Sequence, residues 1–423
     1  LPIRFGLVAY SLYLLKIHYL KANKLPVLND PIYGFIRVES KLLFDLLEHP
    51  YFQRLRRISQ MGLSSLVYPG ARHSRFEHAL GAMHLMNKTV ETLQRKHVAI
   101  SDEEKEALAV AILLHDIGHG PFSHAIERTI FLGVNHEILS LGFMELLNKE
   151  FDGKLSLAIS IYANKYRRKF MHQLVSSQLD IDRLDYLKRD SFYTGATEGN
   201  INSHRIIEML NVVDDQVVVE ENGLFSIEKF IMARRLMYWQ VYLHKTGLVA
   251  ELLLSNTIQY VRKIIKQGVA VSMTDDLMFF MSQDKLNPNS SAVLEQFSHL
   301  DDNDIYAALK QWQYHPDDIL ASFSKRLLNR DLMKMKYQKE PFTDFQIEKR
   351  KQKLSAAGFT EEYVTNFVFS NRISCKVYTN ENPIKVLSQK GDVYALEDFS
   401  SLFDGKTFST TEIKHYLCYP KSK

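Results

Sequence analysis

The chain has 423 residues, 46% apolar and 24% charged, with 53 Lys and Arg against 49 Asp and Glu and a net charge of +4. This composition is that of an ordinary globular protein. It excludes wholesale disorder, a collagen-like repeat and a multi-span membrane protein, and it predicts roughly two or three folding units. The near-balance of charge points to no nucleic-acid or membrane partner. Two cysteines, Cys375 and Cys418, exclude a disulfide framework and fit a reducing cytoplasm.

In chain order, residues 1–22 carry an apolar stretch from Phe5 to Leu20 broken by Lys16 and His18. It is too short and interrupted for a membrane span and predicts an N-terminal extension. Asn29-Asp30-Pro31-Ile32-Tyr33-Gly34 is turn chemistry. Helices are predicted around Phe44–Leu47, Phe52–Ile58, Arg75–Leu93 and Glu103–His115, then over 136–149, 155–162, 170–188, 203–211, 226–246 and 248–267. The run Ala107 to Leu114 is apolar on every side, which marks a buried helix. Val217-Val218-Val219 reads as a short strand. After Gly268 the pattern weakens, and helices resume at 302–312 and 316–328. Ser374–Thr379, Ile384–Ser388 and Val393–Leu396 read as strands, with Lys390-Gly391-Asp392 as a hairpin turn. The expected organisation is an extension (1–22), a helical core (23–265), a helical extension (266–339) and a small α+β region (340–423).

Eight of the sixteen histidines, His73, His78, His84, His97, His115, His119, His124 and His136, fall between residues 73 and 136. Histidine is the commonest protein metal ligand and acid–base group near neutral pH. His115 and Asp116 end the apolar helix, where an imidazole and a carboxylate cost several kcal/mol unless paired or metal-bound. An isolated His-Asp pair would ordinarily be a helix cap. Here Arg75-Phe76-Glu77-His78 opens the preceding helix, and Asp180-Ile181-Asp182-Arg183 places acids among apolar residues. Together they offer two imidazoles and two carboxylates from three helices. Such a mixed nitrogen and oxygen set suits Mn, Fe, Ni, Zn or Mg and leaves positions open for water and phosphate oxygen.

The strings NDPIYG, FQRLRRISQMG, YPGARHSRFEHALG, HDIGHGPFSH and DIDRLDYLKRD, in this order, resemble the HD-domain metal phosphohydrolases. The likeness is nearest to their deoxynucleoside triphosphate triphosphohydrolase branch, and it covers residues 24–265. The resemblance implies a mostly α core whose metal ligands are His78, His115, Asp116 and Asp182, with Asp180 as the neighbour and competing ligand candidate; the plainer reading of Asp180 is a solvated or capping acid. It implies His119, His124, Glu127 and His136 as catalytic residues around the phosphates. Gln60 and Met61 match positions beside the sugar, and Tyr186 and Asp190 lie on its other side. Arg75, Arg183 and Arg234 match phosphate contacts, and Tyr242 a base contact. Tyr238 replaces a histidine of the animal SAM-and-HD-domain protein.

The implied reaction is water attack at the α-phosphorus of a deoxynucleoside triphosphate, releasing deoxynucleoside and triphosphate. Rival readings are an HD phosphohydrolase for another nucleotide or phosphoester, and a nucleotide sensor without turnover. Gln53, Arg56, Arg330 and Lys334 resemble contacts to a nucleotide effector. Glu220 and Asn222 replace a basic pair there, and Pro26 replaces a lysine, so an altered or absent effector site is expected. The family also implies a cytoplasmic homo-oligomer, a dimer or tetramer.

Overall fold

A computed structural model of the chain describes residues 25–122, 129, 134–283, 286–401 and 410–421. The extension at 1–22, His124 and Glu127 lie outside the described residues.

The centre of the fold is built around the helix Arg75–Arg95, which packs against both Asp102–Leu114 and Ile181–Thr194. The first two of these begin with capping boxes, Ser74 with Glu77 and Ser101 with Glu104. Each box satisfies two backbone N–H groups that the helix start leaves without partners. Asp102, Glu103 and Glu104 in the first turn complement the dipole of the second helix. Every residue from Ala107 to Leu114 is buried. Each of the buried leucines and isoleucines there contributes roughly 1.5–3 kcal/mol relative to exposure. The C-terminal end of this helix, where His115 and Asp116 follow, is therefore anchored in the core.

The chain is mostly α, as expected, with small sheets that involve its C-terminal part. An antiparallel hairpin pairs Val27–Asp30 with Gly34–Arg37. A four-stranded sheet runs Leu210–Val213, Gln216–Glu220, Lys385–Leu387, Val393–Ala395, with a parallel pairing between the middle two. A three-stranded antiparallel sheet places Glu412–Tyr419 between Lys334–Gln338 and Phe369–Cys375. Val386, Leu396, Tyr416 and Cys418 join the same apolar core as the central helices. Among the described residues no helix is long and apolar enough to cross a membrane.

Several expected elements differ: the helix expected over 203–211 ends at Glu208 and gives way to the strand Leu210–Val213, and the one expected around Phe52–Ile58 is Pro50–Gln53 followed by a 3-10 turn, Arg54–Arg57. The helix expected over 170–188 is two, Lys169–Val175 and Ile181–Thr194. Asp180 interrupts it, accepting from Ser177 N at 2.7 Å and Arg183 N at 2.8 Å. Such local side-chain bonds compete with helical ones. The helix expected over 226–246 is Leu224–Met237, followed by a π-helical turn Tyr238–Tyr242; Lys245–Lys266 then starts from a His244 cap. The strand expected at Ser374–Thr379 lies earlier, at Phe369–Cys375, because its register against Glu412–Tyr419 sets its limits.

Candidate metal centre

Two helix ends and one helix flank bring the chemistry together. His78 projects from the first turn of Arg75–Arg95, His115 and Asp116 follow Asp102–Leu114, and Asp182 is in the first turn of Ile181–Thr194. His78 Nε2 lies 3.3 Å from His115 Nε2 and 3.1 Å from Asp182 Oδ1. His115 Nε2 is 3.4 Å from Asp182 Oδ1 and 3.3 Å from Asp116 Oδ1. His78, His115 and Asp116 each offer a ligand atom, all within 4.8 Å of one another.

The far side of each ring is tied down. His78 Nδ1 faces Asp185 Oδ2 at 2.8 Å, and His115 Nδ1 faces the Ile112 carbonyl at 2.6 Å. Both acceptors call for a proton on Nδ1, so the two Nε2 atoms turn their lone pairs toward each other. Two lone pairs at 3.3 Å beside two carboxylates suit a cation between them. The same negative surroundings attract positive charge, and without a metal they favour a proton on the ring. Burial opposes charge on His78, but hydrogen bonds with Asp182 and Asp185 outweigh it and lift its pKa to about 10. Burial would raise Asp182 as well, yet bonds with His115 and His78 hold it well below the usual carboxylate range. Asp116 is held low in the same way by His115, His119 and Arg75. The donor set therefore fits a divalent ion.

Asp180 is turned to capping: it accepts from Ser177 N and Arg183 N and pairs with Arg183 Nε at 3.2 Å. Burial pushes its pKa up to about 6.

The other expected residues fall into two groups. Around the centre, His119 Nε2 is 3.3 Å from Asp116 Oδ1, and its ring stacks on His136 with centroids 3.8 Å apart. Arg75 pairs with Asp116. Arg183 donates to Tyr186 Oη at 3.1 Å. The Tyr186 ring lies edge-on to both His78 and Tyr242, with centroids 6.4 and 6.3 Å away. Tyr242 donates to Asp190 at 2.8 Å, and Tyr238 packs edge-on against Tyr242. Arg234 is buried, and its Nε has no hydrogen-bond partner among the described residues. The Gln60 Oε1 is also buried without one, and Met61 is buried.

The second group is the effector residues. Arg56 donates to Gln53 at 2.8 Å, whereas Arg330 donates to the Leu66 carbonyl at 2.6 Å and Lys334 starts a strand. Glu220 is engaged by Lys96 at 2.8 Å.

Sequence reasoning misses several residues. His73 lies 2.7 Å from Asp190 and stacks on Tyr193. Asp185 backs His78, Arg189 grips Asp185, and Asp30 binds Arg189. Ser140 donates to the His115 carbonyl at 2.7 Å and accepts from Gly118 N at 2.9 Å, fixing the turn after the helix. The one legible signal was the Asp185-to-Arg189 spacing, an (i, i+4) pair on a helix.

Residues 75–190 match the HD domain family, and residues 201–292 match the HD associated region. An uncharacterized protein, YwfO, of Bacillus subtilis (strain 168) is 30% identical, covering 95% of this chain and 93% of its own length. A phosphohydrolase from Bacteroides thetaiotaomicron VPI-5482, known from a crystal structure, is 46% identical with a TM-score of 0.91, covering 94% of this chain and 100% of that one. The chain belongs to the HD-domain phosphohydrolases. HD domains are metal-dependent, and this HD phosphohydrolase carries a His/Asp cluster able to hold the ion. It is also similar to the deoxynucleoside triphosphate triphosphohydrolase SAMHD1 homolog of Dictyostelium discoideum, at 30% identity over 62% of the chain. The human SAMHD1 protein of that name is 28% identical over 59%. The chain spans 54% and 46%, respectively, of those two relatives.

Proposed function

We propose that this HD phosphohydrolase hydrolyses deoxynucleoside triphosphates to deoxynucleoside and triphosphate, with His78, His115, Asp116 and Asp182 as metal ligands. The observation that carries this reading is the Asp190 carboxylate, held between His73 and Tyr242 at 2.7 and 2.8 Å on the same helix as Asp182. A buried acceptor of that kind suits a sugar hydroxyl, and the neighbouring Tyr186 ring supplies bulk against a 2′-hydroxyl. The buried Gln60 amide oxygen is a further acceptor for the substrate. The likeness to the named triphosphohydrolases supports the same substrate class.

When bound, the divalent ion supplies Lewis-acid charge at the phosphate. In the reaction the water oxygen bonds to the α-phosphorus and the bond from phosphorus to the sugar 5′-oxygen breaks. The proton lost by water is balanced by one gained at that 5′-oxygen. Arg75, Arg183 and Arg234 bring guanidinium charge to the phosphate chain, where fixed donors stabilise charge that builds up. In this reading His119 and His136, stacked beside Asp116, hold or pass the proton. His124 and Glu127 complete the expected set on the family pattern.

The test is a product-resolved screen of all dNTPs and rNTPs with Mn²⁺ or Mg²⁺, with and without GTP or dGTP. Triphosphate is expected from dNTPs and much less from rNTPs. Release of inorganic monophosphate alone, or equal turnover of rNTPs, would overturn the reading. We also propose that the protein assembles as a dimer or tetramer; light scattering that finds only monomer at micromolar concentration would refute this.

A further inference from the structure

The segment Phe297–Asp302 lies beyond both matched stretches, yet it meets two loops of the centre. Asp302 is 5% exposed. One of its carboxylate oxygens accepts from Ser59 N at 2.9 Å, and the other accepts from Phe122 N at 2.9 Å. Ser59 precedes Gln60 and forms a bridge with Ser74, which caps the helix carrying Arg75 and His78. Phe122 follows His119 by three residues and has a φ of 48°, a conformation that costs a non-glycine residue about 1–3 kcal/mol.

Neighbouring contacts have the same direction. The ring of Phe297 lies so close to Gly120 that a Cβ there would meet it at 2.8 Å. Phe122 packs edge-on against Tyr306. Arg54, fully buried, donates to the Leu300 carbonyl at 3.1 Å and to the Ile117 carbonyl at 2.7 Å.

We propose that Asp302 is a positioning residue for the phosphohydrolase site, one carboxylate that locks the Ser59–Gln60 loop and the His119–Phe122 loop in register. Only a carboxylate presents an acceptor to both N–H groups at once; an asparagine presents one acceptor and one donor. The adjacent helix cap does not depend on it, because Asp301 and Asp304 form that capping box. The inference rests on the phosphohydrolase reading of the site and on no particular substrate.

The decisive variant is Asp302→Asn, compared with wild type on the substrate that the wild-type enzyme turns over best. A kcat reduced by about 10²-fold is expected, the scale of a small misplacement of catalytic groups. Metal content and helical content stay at wild-type levels. Hydrogen exchange read by mass spectrometry speeds up by about tenfold in peptides covering Ser59 or Phe122, the loss of one hydrogen bond. Wild-type kcat with unchanged exchange would overturn the proposal. So would a loss of activity that only tracks lost metal. If the wild-type enzyme turned over no nucleotide, the substrate reading would fail, and exchange at the two peptides would still decide whether Asp302 holds both loops.

Discussion

His78 Nδ1 lies 2.8 Å from Asp185 Oδ2, and that contact aims the other ring nitrogen at His115. Behind Asp185 the chain of charge continues. Arg189 Nε and Nη2 donate to its two oxygens at 2.9 and 3.0 Å, and Arg189 Nη1 donates to Asp30 at 2.8 Å. Asp30 in turn accepts from Ile32 N and Tyr33 N in the turn of the N-terminal hairpin. The metal-facing nitrogen is thus oriented by a buried line of ion pairs that ends in a β-turn.

Asp185→Asn should weaken this orientation. An amide offers the Arg189 guanidinium one acceptor in place of two, and Asp30 is left as the one carboxylate paired with buried Arg189 among the described residues. Metal affinity is expected to fall 10–100-fold, as for other partners behind metal-ligating histidines. Unfolding free energy should drop by about 3–5 kcal/mol, the usual cost of breaking a buried pair. Calorimetric metal titration and urea unfolding measure the two effects separately.

Gly81→Ala adds a methyl that would meet Asp185 Oδ1 at 2.1 Å and Arg189 Nη2 at 2.2 Å. Alanine is the better helix former by about 1 kcal/mol, but overpacking at this spot costs about 1–3 kcal/mol. The expected net result is a lower melting temperature together with faster metal loss to a chelator. An unchanged or higher melting temperature would show that Asp185 and Arg189 can shift aside freely.

His115→Ala and Asp182→Ala are each expected to abolish metal retention while circular dichroism stays near that of wild type. The helix before His115 is held by its buried face, and Ile181–Thr194 by its Asp180 cap, so neither depends on the substituted side chain. Elemental analysis after gel filtration reads the outcome; wild-type stoichiometry in either variant would count against that ligand.

Glu104 gives a pH-dependent stability far from the centre. Burial alone would raise its pKa, but bonds from Ser101 N, Arg168 and Tyr166 outweigh this and lower it. The unfolded chain therefore holds more protons on this residue between the folded value and the ordinary glutamate pKa of about 4.3. Its stabilising effect is fully present above that ordinary value and is lost as pH falls through the folded pKa. Glu104→Gln should lower the melting temperature at pH 7, and the gap to wild type should narrow below about pH 4.

The central helices were legible because their physics is local. The all-apolar run before His115, the capping residues and the 3.6-residue periodicity each sit within a few turns of chain. The breaks at Ser177–Asp180 and at the Tyr238–Tyr242 π-turn were harder, because apolar spacing continues across them. The strands Lys334–Gln338 and Glu412–Tyr419 depend on partners far away in the chain, and no window of sequence contains both sides of such a pairing.

The residue types and their order determined the mostly helical fold, the HD family and the His and Asp donors to be brought together. Only the tertiary structure decided which nitrogen of His78 faces the centre, that Asp185 backs that ring, and that Asp302 ties two loops together. Those choices rest on angles and distances between groups that are tens to hundreds of residues apart, and packing alone sets them.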